Sequence, residues 1–146
     1  MKKFIVVSAA VLTLISTTAM AGTKHGGNPA EKTFQNNFKG AVDVKWDEGK
    51  DYISASFVLG NSRVIAYFDP SGELLGTARN VLFNQLPLNV ITEMNKRFGS
   101  AFVYDILEYS VGSETFYTML ADTQTKLLKL RASSTGNISV ESKTKK

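Results

Sequence analysis

The sequence predicts an α+β fold: a tandem repeat of one helix followed by a four-stranded antiparallel meander, with the helices packed on one face of the sheet. Three observations predict it. A helix-like stretch running into Phe38-Lys39-Gly40-Ala41 has a counterpart running into Phe98-Gly99-Ser100-Ala101. Each is followed by alternating apolar and polar segments of strand length. Each series closes on a Gly-centred turn, Asp69-Pro70-Ser71-Gly72 in the first and Ser133 to Asn137 in the second. Tight hairpin signals between the strands exclude a parallel doubly wound sheet, because parallel strands need long crossovers.

The elements follow in order. Residues 1–21 read as a secretory signal peptide: basic Lys2 and Lys3, an apolar run from Phe4 to Ile15, and Ala19-Met20-Ala21 before Gly22. The run is short of the roughly 20 residues that span a bilayer, so no stable membrane insertion is expected after cleavage. Residues 22–28, with three glycines and no apolar side chain, form a flexible leader. Pro29 suits a first helical turn with Asn28 as N-cap. Ala30, Phe34, Phe38 and Ala41 then share one helical face, and Gly40 ends the helix.

Val42, Val44 and Trp46 alternate with Asp43, Lys45 and Asp47, a half-buried strand. Asp47 to Lys50 turns. Tyr52 to Leu59 and Arg63 to Phe68 are strands joined by Gly60-Asn61, a tight-hairpin pair. Asp69-Pro70-Ser71-Gly72 fits a type I turn, and Glu73 to Asn80 is the fourth strand. After Val81 to Leu86, Pro87 opens a second helix with Leu88, Ile91, Met94 or Asn95, and Phe98 on one face. Gly99 stops it. Ala101 to Val111, Glu114 to Ala121, Lys126 to Arg131 and Ile138 to Glu141 complete the strands, with Gly112-Ser113 as a hairpin turn. The expected domain is 29–141, with repeats at about 29–81 and 82–141, and a frayed basic tail at 142–146.

Charge and composition exclude several functions. The formal charge is +4, but Lys2 and Lys3 leave with the signal, and Lys143, Lys145 and Lys146 sit in the tail. The remaining body is slightly acidic, so no nucleic-acid partner is expected. The chain has no Cys, so an exported fold must be held by apolar burial. Its single His, His25, lies in the leader, so a Ser-His-acid triad would have to order that leader over the sheet, and one His offers too few ligands for zinc. Asp43, Asp47, Glu48 and Asp51 lack calcium-loop spacing and read as a wet strand face and a turn. Gly72 to Gly76 lacks the Lys-Ser/Thr of a phosphate loop. No catalytic, metal or cofactor site is expected, and the chain reads as no enzyme.

Trp46 shares a side with Val42 and Val44 and reads as core. The tyrosines matter more. Tyr52 and Val58 oppose Ile53, Ala55 and Phe57, while Ile65 and Tyr67 oppose Val64, Ala66 and Phe68. In the second half, Phe116, Thr118 and Leu120 oppose Tyr117, Met119 and Ala121. A sheet covered on one side leaves such residues free as a protein-binding platform. The candidate contact residues are Tyr52, Arg63, Tyr67 and Tyr117; Tyr104 and Tyr109 belong to the same class, and Arg79 reads as a contact or an edge charge.

The order of Phe38-x-Gly40-Ala41, Val44-Lys45-Trp46, Ala66-Tyr67-Phe68-Asp69, Ser71-Gly72-Glu73-Leu74 and Gln85-Leu86-Pro87 resembles the β-lactamase-inhibitor-like, PepSY-like domain family of exported proteins typical of Bacteroidota. The resemblance covers most of 29–141. It implies tandem helix-plus-meander units, a cell-envelope location and no catalysis. By analogy with PepSY domains it also implies inhibition or regulation of a peptidase or another envelope protein. The second half departs from the pattern: it has Leu107 or Tyr109 near the position of Trp46, and its turn lacks Asp-x-x-Gly. The expected function is a secreted, periplasmic, non-enzymatic binding module for another envelope protein. The alternatives are a structural scaffold of the envelope or a small-ligand carrier, which needs an enclosed pocket.

Overall fold

The computed structural model describes residues 28–146. The signal peptide, most of the leader and His25 lie outside the described residues. The chain runs α1 (Pro29–Asn37), β1 (Val42–Glu48), β2 (Ile53–Leu59), β3 (Ser62–Phe68), β4 (Leu74–Asn80), a 3-10 turn (Phe83–Gln85), α2 (Leu88–Phe98), β5 (Phe102–Val111), β6 (Glu114–Asp122), β7 (Lys126–Ser133) and β8 (Ile138–Lys145).

The strands form one antiparallel sheet of eight in the order β1 to β8. This corrects the expected tandem repeat of a helix plus a four-stranded meander: the molecule is one eight-stranded antiparallel sheet with two helices. Strand is the dominant structure, and β4 pairs directly with β5, from Thr77 opposite Ser110 to Asn80 opposite Leu107. The two four-strand runs are therefore a single continuous layer. Hairpin signals define neighbours within each run, but the β4–β5 pair is closed through α2 and carries no turn signal.

One face of this sheet carries the core. Asn28 caps α1 by accepting from the Ala30 N–H at 2.9 Å, and Pro29 occupies the first turn, where its missing N–H costs nothing. That sets Ala30 and Phe34 onto Ala55, Phe57, Val64, Ala66 and Phe68. Phe34 meets Phe57 edge-on at 4.9 Å and Trp46 at 5.3 Å, so Trp46, expected in the core, packs against it while only half-buried. Each such aromatic pair adds about 0.5–1.5 kcal/mol beyond area burial. α2 buries Val90 and Met94 against Ile106, Met119 and Leu130 in a second cluster. Leu86, not Leu88, completes it: Leu88 is 78% exposed, because the helix begins after Pro87 and turns that side chain outward.

Register places the clusters on the same face. Val64 pairs Arg79, Arg79 pairs Glu108, Glu108 pairs Tyr117 and Tyr117 pairs Ala132, so all five point to the helix side. Between the clusters on that side, the Arg79 Nε donates to Glu108 Oε1 at 2.7 Å. Arg79 thus lies in a central strand and is no edge charge.

Two aspartates bend the sheet. Asp43 has φ 55° and Asp105 φ 51°, and each coincides with one extra residue in its strand. Asp tolerates this left-handed conformation better than most residues. The bulge breaks the expected alternation of β1: Val42 falls on the side of Lys45, away from Trp46, and is 55% exposed. The last strand also differs from expectation. β8 continues past Glu141 to Lys145, with Lys143 opposite Leu128 and Lys145 opposite Lys126, so the basic tail is the outer strand's own end. Its lysines suit an edge, where charge blocks further pairing.

Candidate functional site

The face without helices carries a strip of rings that crosses the sheet. It starts at Tyr52, at the mouth of the β1–β2 hairpin, where the Gly49 N–H donates to the Tyr52 carbonyl at 2.9 Å. Tyr52 is 40% exposed and meets Tyr67 edge-on at 5.7 Å. Tyr67 lies opposite Gly76 on β4, and Ala78 lies opposite Tyr109 on β5. These small residues leave room above β4 for the flanking tyrosines to approach one another. A Cβ on Gly76 would meet the Ser110 carbonyl oxygen at 2.6 Å, so glycine is also what lets β5 close on β4.

The strip continues on β6 and β7. Tyr109 stacks on Phe116 at 4.9 Å with the rings only 7° apart. The Arg131 guanidinium lies over the other side of Phe116, 3.7 Å from its centroid. Burial pushes the Tyr67 phenol up to about 12, with smaller contributions from Tyr109 and Tyr52. Tyr67 therefore stays neutral and keeps a hydroxyl donor at any physiological pH. The strip's chemistry is that of an adhesive surface: broad ring area, phenol hydroxyls and a cation.

The residues singled out from sequence fare differently. Tyr52 and Tyr67 lie together in the strip. Arg63 is exposed on the same face, opposite Val58, toward the far end of β3 from Tyr67. Tyr117 is corrected: it is 5% exposed, belongs to the second core cluster and faces the helices. Burial and then the Glu108 charge raise its phenol. The neighbours that face outward are Phe116, Thr118 and Leu120. Tyr104 lies on the uncovered face beside Phe102, 5.7 Å away.

Sequence reasoning left Phe116 and Arg131 outside the site. A usable signal existed for Phe116. The Gly112-Ser113 turn fixes Val111 opposite Glu114, and counting back puts Tyr109 opposite Phe116. What hid the face of both was the Asp105 bulge, which shifts the alternation between Tyr104 and Leu107.

Other features complete the surface. An open depression of about 650 Å³ adjoins Phe116 and Arg131, lined also by Ser113, Glu114, Thr115, Ser133, Ser134, Asn137, Ile138 and Ser139. Asp43, Asp47, Glu48 and Asp51 lie along β1 and its hairpin, and no group of three or more His, Cys, Asp or Glu able to hold a metal occurs among the described residues. No described helix is long and apolar enough to cross a membrane.

No family model and no curated protein matches this chain. Solved structures do share its fold. A BLIP-like protein from Bacteroides fragilis is similar with a TM-score of 0.70 and 18% identity, over 85% of this chain and 89% of that one. A DUF2874 family protein from Bacteroides ovatus gives a TM-score of 0.72 and 16% identity, over 85% and 89%. A protein assigned to the periplasm of Bacteroides eggerthii gives 0.72 and 13%, over 83% and 89%. These structures share the fold of this chain, one of them described as BLIP-like, and the PepSY-like part of the resemblance has no counterpart among them.

Proposed function

We propose that this chain is an exported, periplasmic, non-catalytic binding module that docks another envelope protein on the uncovered sheet face. The observation that carries this reading is the strip Tyr52–Tyr67–Tyr109–Phe116, two ring pairs that flank the small residues of β4 on the face that no helix covers. Tyrosine-rich surfaces with small residues beneath them suit protein contacts, because rigid rings give large area at low entropic cost. The BLIP-like and periplasmic neighbours support the class and the compartment. Restraint of a peptidase or other enzyme is the finer form of the same proposal.

The ring geometry favours a protein over a glycan. Sugars stack on free ring faces, and here Phe116 has one face on Tyr109 and the other under Arg131. Phe116 therefore has no free ring face to offer a sugar. The test is photo-crosslinking in the periplasm with a crosslinking residue placed at Tyr52, at Tyr109 and, as control, at Lys96 on α2. The reading predicts one shared adduct from positions 52 and 109 and none from 96. Equal adducts from all three positions, or none from the sheet face, would overturn it.

A further inference from the structure

Resting on the sheet face as the docking surface, the geometry points to Arg131 as a receptor for a carboxylate: we propose that the partner presents an Asp or Glu side chain flanked by apolar residues. Three observations carry it. First, the Arg131 guanidinium is held over Phe116, 3.7 Å from the ring centroid, while Phe116 is itself stacked on Tyr109. The guanidinium is therefore oriented before any ligand arrives, which lowers the entropy lost on binding. Second, its side chain makes no hydrogen bond or ion pair among the described residues. Lys129, two residues earlier on the same face, is already taken by Glu141 at 3.2 Å. Arg131 is half-buried, yet its donors await an acceptor.

Third, the open depression beside it, about 650 Å³, is lined mostly by hydroxyl and amide side chains such as Ser133, Asn137 and Ser139, with Glu114 at its rim as a carboxylate that makes no ion pair with Arg131. That is room for one loop tip with polar partners for a carboxylate and the backbone around it. The planar, forked guanidinium matches a carboxylate with two parallel hydrogen bonds. The strip beginning at Phe116 supplies apolar area for the residues beside that carboxylate.

The probe is a surface of immobilised randomised dodecapeptides, exposed to the full mature chain. Captured peptides are expected to be enriched in Asp or Glu next to Phe, Trp or Leu. Arg131→Gln should lose the acidic enrichment and keep the apolar one, while Lys129→Gln, an equal change in charge, should keep both. For the best peptide, changing its acid to the amide should weaken binding to the unaltered chain about tenfold or more and leave binding to Arg131→Gln unchanged. Phe116→Leu, which retains the arginine but removes its seat, should give an intermediate loss. Trp46 fluorescence checks that each variant is folded. Capture without acidic preference, or an amide penalty that survives in Arg131→Gln, overturns the carboxylate receptor and leaves the docking face standing. No capture at all overturns both.

Discussion

A phenol in the position of Tyr67 has Tyr52 on one side, Tyr109 across β4 on the other and Gly76 opposite it on the neighbouring strand. Its ionised form would have to be taken out of water and, to a lesser degree, to sit beside Tyr109 and Tyr52, which is why it holds its proton up to about 12 against an ordinary 10.0. A group whose folded pKa is raised contributes stability that is complete below the unfolded value. That contribution is lost as pH rises between the two values. The chain should therefore lose stability from about pH 10 to about pH 12, and Tyr67→Phe should flatten part of that loss. Urea midpoints of the two proteins at pH 9 and pH 11 test it: the unaltered chain should fall further between them than Tyr67→Phe. An equal fall in both would mean that Tyr67 is as free as a phenol in water. Sequence alone placed Tyr52, Arg63 and Tyr67 on the right face because β2 and β3 pair from Ile53 to Leu59 without a bulge. It misplaced Tyr117 because parity in β6 cannot be read without its neighbour, and β5 carries the Asp105 bulge.

At the scale of elements, the helices are seated by turns. The β3–β4 turn closes on Asp69, whose Oδ1 accepts from the N–H groups of Ser71 and Glu73 and from the Ser71 hydroxyl. These bonds, that of Ser71 first, hold its carboxyl below the usual range. Gly72 in this turn lies so close to α1 that an added Cβ would meet the Pro29 carbonyl carbon at 2.5 Å, at a φ of +91°. Gly60 has a φ of +60° and open space around it. Gly60→Ala should thus cost about 1–2 kcal/mol from backbone strain alone. Gly72→Ala should cost that plus about 1–3 kcal/mol for displacing the helix start. Thermal melts of the two variants compare them, and equal losses would show that α1 is not seated on this turn. A second prediction concerns the bulges. Asp105→Gly should be neutral within about 0.5 kcal/mol, and Asp105→Val should cost about 1–2 kcal/mol, because a β-branched residue resists φ 51°. Strands, hairpins and helix caps were legible here since each rests on local chemistry: Asn28-Pro29, Gly60-Asn61, Asp69 to Gly72. The bulges were not, because an Asp between apolar residues reads equally well as a solvent-facing strand position.

The whole molecule is decided by a junction that no local signal announces. β4 and β5 pair over Thr77–Asn80 and Leu107–Ser110, and the Val81 N–H adds a bond to the Ile106 carbonyl at 3.0 Å. The apolar clusters under α1 and α2 share no buried residue, and Arg79 and Glu108 lie between them. On the opposite face, the approach of Tyr67 to Tyr109 crosses the same junction. Either the chain unfolds as one body through this seam, or the two runs of strands melt apart. Freed at β4 and β5, each run would expose a row of unpaired backbone groups and half of the aromatic strip, so one cooperative transition is expected. The single tryptophan makes the test direct. Trp46 packs on Phe34 and Phe68 in the first cluster and touches nothing in the second. Met94→Ala empties the second cluster at a site 1% exposed and should cost about 2–5 kcal/mol. If the sheet is one body, the denaturant midpoint read by Trp46 fluorescence falls by the same amount as that read by far-ultraviolet circular dichroism. If Trp46 keeps its midpoint while the dichroism shifts, the β4–β5 seam is a domain boundary, and the strip that spans it binds as two surfaces rather than one.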